Sequence, residues 1–260
     1  MLLAIDIGNS NVVIGCLSSQ GKTLSLFRMV TDLKKTADEY AAGMQTILNH
    51  NHIDCSAFEG AIICSVVPPL TDIFRCAAAD ITGHRPMVVG AGIKTGLNIM
   101  LDNPSSTGSD LVAAAVAAMA EFPLPVVVVD MGTATTMTVI DEGNRFLGGA
   151  IIPGVALSMN ALSSGTSLLQ KVPLEAPKKC ISANTTECMQ SGAVYGSAAL
   201  LDGMIDRFEA ELHKPVTVVA TGGIAPKIIP HCRHKIVCDE DLLLKGLYII
   251  YQKNIKGNTR

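Results

Sequence analysis

Val126-Val-Val-Val129 runs into Asp130-Met131-Gly132-Thr133-Ala134-Thr135-Thr136, and the alternating stretch Met137 to Ile140 follows: an apolar run, a polar turn, a second apolar run. The same order stands at the start of the chain. There Leu2-Leu3-Ala4-Ile5 leads into Asp6-Ile7-Gly8-Asn9-Ser10-Asn11 and then Val12-Val-Ile-Gly-Cys-Leu17. Each reads as a β-hairpin whose turn carries the chemistry. Aligning Asp6 with Asp130 gives an offset of 124 residues, nearly half of the 260. Two lobes of like topology account for a repeat of that length.

The segments between the two turns read as alternating helix and strand. Thr36-Ala-Asp-Glu39 has the spacing of a capping box, and Tyr40, Met44, Ile47 and Leu48 then share one face, which predicts a helix over about 37–49. Gly60 to Val67 reads as a buried strand ended by Pro68-Pro69, and Met87 to Val89 as a short one. Asp102 to Asp110 is a polar loop ahead of an Ala-rich helix, Leu111 to Phe122. After the second turn come Gly148-Gly149 with Pro153-Gly154, a helical stretch over 155–162 and a helix over about 187–212. A strand, Val216 to Ala220, ends in the turn Thr221-Gly222-Gly223, and a helix over 242–252 precedes a tail, 253–260, expected to fray.

Composition excludes several classes of function. With 48% hydrophobic and 17% charged residues and a mean hydropathy of +0.38, the chain is a well-buried globular protein and not a disordered one. Twenty basic against 23 acidic residues leave a net charge of −3, so nothing in the charge balance marks a nucleic-acid binder. The longest apolar stretch, Leu111 to Val129, is broken by Glu121, Pro123 and Pro125 and is expected not to span a membrane. The first residues carry no basic segment and no long apolar run, so the protein is expected in the cytoplasm. Eight cysteines without a C-x-x-C pair read as reduced thiols, with Cys16 and Cys64 packed inside apolar runs. His231-Cys232-Arg233-His234 with Cys238 fits no zinc spacing and reads as a surface loop.

A turn built from Asp, Gly and small polar residues can offer backbone N–H groups to phosphate oxygens, and two of them could grip one polyphosphate. Ionised carboxylates avoid burial unless paired or bound to a cation, so Asp6 and Asp130 at the ends of buried strands point to a hydrated Mg²⁺. D-x-G alone is also an ordinary tight turn. Two copies, followed by Thr221-Gly222-Gly223 after a third strand, favour the phosphate reading.

On these motifs the chain resembles the type III pantothenate kinase family, part of the superfamily of acetate and sugar kinases, heat-shock ATPases and actin. The likeness runs through Asp6 to Asn11 with Gly15, Thr31 and Asp38-Glu39, then Ser65-Val-Val-Pro68 and Asp102-Asn-Pro104 with Gly108-Ser109-Asp110. It continues through Asp130 to Thr135, Gly148-Gly149, Pro153-Gly154, Asn184-Thr185, Gln190-Ser-Gly192 with Gly196, and Thr221-Gly-Gly223. The resemblance implies an α/β fold with a duplicated ribonuclease H-like (actin-like ATPase) core, two lobes with the nucleotide cleft between them. Residues 1–112 are expected to form the first lobe and 113–260 the second, which carries the interface of a homodimer.

The implied reaction is ATP-dependent phosphorylation of pantothenate, with Mg²⁺ and a monovalent cation, K⁺ or NH₄⁺. By the same resemblance Asp6, Gly8, Asn9 and Asn11 form the first phosphate loop and Gly132, Thr133 and Thr135 the second, with Gly222 and Gly223 beside the nucleoside. Asp110 is the general base or orienting acceptor, Asp130 holds the monovalent cation and Asp6 holds Mg²⁺ through water. Gly108, Ser109, Thr166 and Thr185 face pantothenate, with Thr166 in the segment that closes the pocket across the dimer. Three positions depart from the family: Leu111 stands for an Arg, Leu101 for a Tyr and Gln170 for a Pro. Loss of one charge-assisted contact beside Asp110 costs roughly 1.5–3 kcal/mol if nothing replaces it; Lys94 and Arg145 are the candidate replacements. The alternative is a nucleotide-binding relative whose acceptor reaction is lost or altered, a regulator or a kinase of another small hydroxylated substrate.

Overall fold

The first hairpin forms as its sequence implies: β1 (Leu2–Ile7) and β2 (Asn11–Leu17) pair antiparallel, with Asp6 opposite Val13. The computed structural model describes residues 1–255, so most of the expected frayed tail, 256–260, lies outside the described residues. In chain order there follow β3 (Thr23–Val30), α1 (Ala37–His50), β4 (Gly60–Ser65), α2 (Pro68–Thr82), β5 (Met87–Val88), β6 (Asn98–Ile99) and α3 (Ser109–Glu121). Then come β7 (Val126–Met131), β8 (Ala134–Ile140), β9 (Arg145–Pro153), α4 (Val155–Ser164) and α5 (Thr185–Leu212). The last elements are β10 (Thr217–Thr221), α6 (Ala225–Ile228), β11 (Val237–Cys238) and α7 (Leu242–Ile255).

The repeat is structural. One sheet has the order β3-β2-β1-β4-β5, and the other β9-β8-β7-β10-β11 with β6 added beside β9. Placing β1 on β7 matches the two orders strand for strand. In each sheet the central strand has an antiparallel neighbour on one side and a parallel one on the other. Central strands covered on both faces need continuous apolar runs, which Leu2 to Ile5 and Val126 to Val129 supply. β1 and β7 are buried at every position except the fifth, where Asp6 and Asp130 are half-buried.

The chain divides into two compact units, each with its own apolar core. The first holds Met1–Leu97, Asp102–Ala120 and the described residues from Asp241 onward; the second holds Asn98–Leu101 and Glu121–Glu240. These units are not the halves 1–112 and 113–260. α3 runs through that boundary inside the first unit, and α7 returns to pack on β1 and β4. The reason is apolar: Leu244, Leu247 and Ile250 of α7 are buried, with Leu244 against Gly15 of β2.

Some elements escaped the sequence reading. Pro68-Pro69 ends β4 but also opens α2, because the first turn of a helix needs no N–H donor. β3 and β9 lack a clean alternation, β9 being interrupted by Gly148-Gly149. The expected capping box of α1 is present: Glu39 N–H donates to Thr36 Oγ1 (3.3 Å) and Thr36 N–H to Glu39 Oε2 (2.8 Å). Lys253 and Asn254 are anchored, not frayed. Lys253 Nζ donates to Thr95 O (2.8 Å), and the Asn254 side chain exchanges two hydrogen bonds with the Lys94 backbone.

Gly246 of α7 lies against the backbone of Ala113 in α3, so closely that a Cβ there would overlap the Ala113 carbonyl. Gly246→Ala is expected to lower unfolding stability by roughly 1–3 kcal/mol, since two packed helix backbones must separate. Urea denaturation checks this; an unchanged midpoint would mean that α7 adjusts freely.

Candidate functional site

In the first unit the chemistry gathers at the carboxyl ends of two parallel strands, β1 and β4, the usual ligand end of an α/β sheet. The Asp6 turn closes on itself, Gly8 N–H donating to Asn11 O (3.1 Å), and leaves Asn9, Ser10 and Asn11 exposed. Thr31 pins it: its Oγ1 donates to Gly8 O (2.6 Å) and its N–H to Ser10 O (3.2 Å). Thr31 is in turn held by the core. The hydroxyl of fully buried Tyr40 accepts from Asp32 N–H (2.9 Å) and donates to Asp32 O (3.0 Å).

β4 ends in Cys64-Ser65, and both residues tie the site together. Cys64 is the register partner of Asp6, and its thiol donates to Asp6 Oδ1 (3.2 Å). The sequence reading gave this cysteine a packing role alone. Burial, reinforced by the Asp6 and Asp110 carboxylates, pushes the Cys64 thiol well above its ordinary range and keeps it protonated. At Ser65 the N–H donates to Ser109 Oγ (2.8 Å), which donates back to Ser65 O (3.0 Å). That clip fixes the start of α3, and Asp110 sits in its first turn. Burial raises the Asp110 carboxyl, against the opposing pull of the Leu111 N–H on Oδ1 (2.8 Å).

In the second unit the turn after Asp130 closes with Gly132 N–H donating to Ala134 O (3.0 Å). Gly154 N–H donates to Thr133 O (3.1 Å), and a side chain at Gly154 would overlap the carbonyls of residues 132 and 133. Gly222 has φ +92°, and a Cβ there would lie 2.8 Å from Asp130 Oδ1 and 2.7 Å from Met131 O. Only glycine fits beside that carboxylate. The half-buried carboxylates of Asp6 and Asp130, each next to a polar turn, are hard oxygen donors suited to Mg²⁺ or an alkali cation.

Thr133 is exposed at the turn, whereas Thr135 is 4% exposed. Thr135 and Thr185 line one cavity of about 570 Å³, with Met131, Val155, Met159 and Met189 among its apolar walls. Thr166 stands outside it, exposed after α4, its Oγ1 donating to Leu162 O (2.9 Å). Gly108 borders the Asp110 carboxylate. Of the two candidate replacements for the missing guanidinium, Arg145 is held by Asp141 (Nε–Oδ2 2.6 Å, Nη2–Oδ2 2.5 Å), and Lys94 is an exposed residue whose backbone is tied to Asn254. Leu101 packs on the backbone at Gly148, and Gln170 is exposed.

The loop with His231 and His234 is organised by Asp202, a buried acid that no reading of the sequence singled out. Burial opposes its ionisation, but the N–H groups of His234 and Arg233 and the Arg233 guanidinium outweigh it and hold the carboxyl below the usual range. No helix among the described residues is long and apolar enough to cross a membrane.

Comparison with known proteins gives the same reading. The family described as type III pantothenate kinase matches residues 2–207. A type III pantothenate kinase of Moorella thermoacetica is 39% identical over 255 residues, covering 98% of this chain and 100% of its own. Among solved structures, a protein of Campylobacter jejuni assigned to the Baf family of transcriptional activators superposes with a TM-score of 0.60 at 20% identity, covering 98% of this chain and 99% of its own. Component A of the (R)-2-hydroxyglutaryl-CoA dehydratase of Acidaminococcus fermentans does so at 0.56 with 13% identity, covering 96% of each. At those identities the structural likeness establishes the duplicated actin-like ATPase fold and no more. With 98% of its length matched by a kinase relative, and an aspartate-glycine turn in each half of that fold, the chain belongs to the type III pantothenate kinase family.

Proposed function

We propose that this chain transfers the γ-phosphoryl group of ATP to the primary hydroxyl of pantothenate, giving 4′-phosphopantothenate, the first step of coenzyme A biosynthesis. The observation that carries the reading is the 39% identity to a pantothenate kinase across that relative's full length. The first phosphate loop is Asp6, Gly8, Asn9 and Asn11, and the second is Gly132, Thr133 and Thr135; Gly222 and Gly223 adjoin the nucleoside. Exposed backbone N–H groups in such turns suit phosphate oxygens. Asp6 holds Mg²⁺ through water and Asp130 holds K⁺ or NH₄⁺. Bound there, the cations neutralise phosphate charge.

Asp110 orients the acceptor. The Leu111 N–H occupies its Oδ1, so Oδ2 is the oxygen offered to the pantothenate hydroxyl, whose proton it accepts. In a loose phosphoryl-transfer transition state this alignment matters more than basicity, and burial of Asp110 supplies some of both. Gly108, Ser109, Thr166 and Thr185 contact pantothenate. Ser109 acts through its backbone, because its hydroxyl is committed to Ser65 and the first N–H groups of α3 have no partner within the helix. Leu111 makes no ionic contact, so acceptor binding relies on these polar groups.

The active form is a homodimer. Ile151 (77% exposed), Leu157, Leu162 and Leu200 present apolar surface on the second unit, and Leu162 and Leu200 border its cavity. Eight free cysteines suit the reducing cytoplasm, where ATP is available.

Asp110→Asn is expected to lower kcat by at least about 10²-fold while ATP affinity, read by calorimetry, holds. Unchanged turnover would move the base elsewhere. Because the Asp110 carboxyl is raised above its ordinary 3.8, activity is lost as pH falls through that raised value, earlier than for an exposed aspartate. The stability linkage has the opposite sense: the neutral carboxyl is favoured by folding, and its contribution disappears as pH rises through the folded pKa. Asp110→Asn therefore raises the melting temperature at pH 7, and a lowered one would contradict the burial argument. Ile151→Glu is expected to convert dimer to monomer in sedimentation velocity and to abolish turnover; a fully active monomer would refute the dimer reading.

A further inference from the structure

We propose that Cys64 is a positioning residue for phosphoryl transfer: its thiol holds the Asp6 carboxylate by Oδ1, so that Oδ2 faces the hydrated Mg²⁺. The inference rests on the reading that Asp6 serves that ion. Three observations carry it. The two residues are register partners on parallel strands, the Sγ–Oδ1 contact is 3.2 Å, and Cys64 is 0% exposed inside a buried strand. A donor fixed in this way restricts the rotation of the Asp6 carboxylate about its side-chain bonds.

The duplicated fold offers an internal comparison. In the second unit the residue opposite Asp130 on the parallel neighbour is Thr221, 5% exposed. Both lobes therefore place a small, buried side chain with a single donor hydrogen beside the aspartate at the strand end. Cys64 and Thr221 thus occupy equivalent register positions in the two sheets. Ser65, the next residue, clips α3, so the end of β4 sets the positions of both Asp6 and Asp110.

The test compares wild type, Cys64→Ala, Cys64→Ser and Asp6→Asn. Binding of Mn²⁺ to the ADP complex is followed by electron paramagnetic resonance, and binding of ADP in EDTA by calorimetry. Cys64→Ala is expected to weaken Mn²⁺ binding about threefold to tenfold, the weight of one ordinary hydrogen bond, since a thiol is a weak donor. Metal-free ADP affinity should not move, and Cys64→Ser should bring the Mn²⁺ affinity back to within about twofold of wild type. Where the Ala variant does not fold, Cys64→Val supplies an apolar replacement of similar bulk. If Asp6→Asn weakens Mn²⁺ binding and the apolar Cys64 variants do not, the role of Cys64 is refuted while that of Asp6 stands. If Asp6→Asn has no effect, the Mg²⁺ reading of Asp6 fails and the inference with it. Equal weakening of ADP with and without metal would show a merely structural residue and overturn the proposal.

Discussion

The structure depends on a carboxylate placed at the end of a strand that is otherwise wholly buried. Asp6 and Asp130 occupy the fifth position of β1 and β7, where the sheet's apolar layers stop and polar turns begin. A charge there is tolerable only if neighbouring groups are arranged around it. In the first unit Cys64 donates to it, and in the second Gly222 gives up a side chain so that Asp130 Oδ1 can sit against the backbone. The turns are then held from outside, by Thr31 in one unit and Gly154 in the other. The turn after Asp6 thus inherits its position from the core, through Tyr40 and the Asp32 backbone.

Much of this was legible in the amino-acid order because the two signals involved are local. An apolar run followed by Asp-x-Gly shows both the buried strand and its turn, and the 124-residue offset shows the duplication. The capping box at Thr36 likewise lies within a few residues of what it organises, whereas the Asn184 cap, which starts α5 at Thr185, went unread. Contacts between distant segments left no such trace. Nothing near Cys64 in sequence reveals that a parallel pairing sets it beside Asp6, and nothing near Ser109 reveals its exchange with Ser65. α7 reads as a closing helix, yet only the tertiary structure shows it packed on β1 and β4, with Gly246 against Ala113. Pro68-Pro69 misled for a different reason, since the same dipeptide both stops a strand and starts a helix.

Of the three departures from the family, Leu111 alone adjoins Asp110 in the chain. Leu111 follows Asp110 in the first turn of α3, and Arg145, a candidate replacement for the missing guanidinium, is bound to Asp141. Asp110 keeps its position nonetheless, because the Ser65–Ser109 clip and the Leu111 N–H use backbone and hydroxyl groups that do not depend on the side chain of residue 111. Both strand-end turns keep the Asp-x-Gly order, Asp6-Ile7-Gly8 and Asp130-Met131-Gly132.

The most direct measurement is of the products formed by purified protein from ATP, Mg²⁺ and K⁺, with pantothenate present or omitted, quantified by mass spectrometry. The account predicts one ADP for each 4′-phosphopantothenate, with little ADP when pantothenate or K⁺ is left out. ADP formation indifferent to pantothenate, or no product from protein that binds ATP, would contradict it.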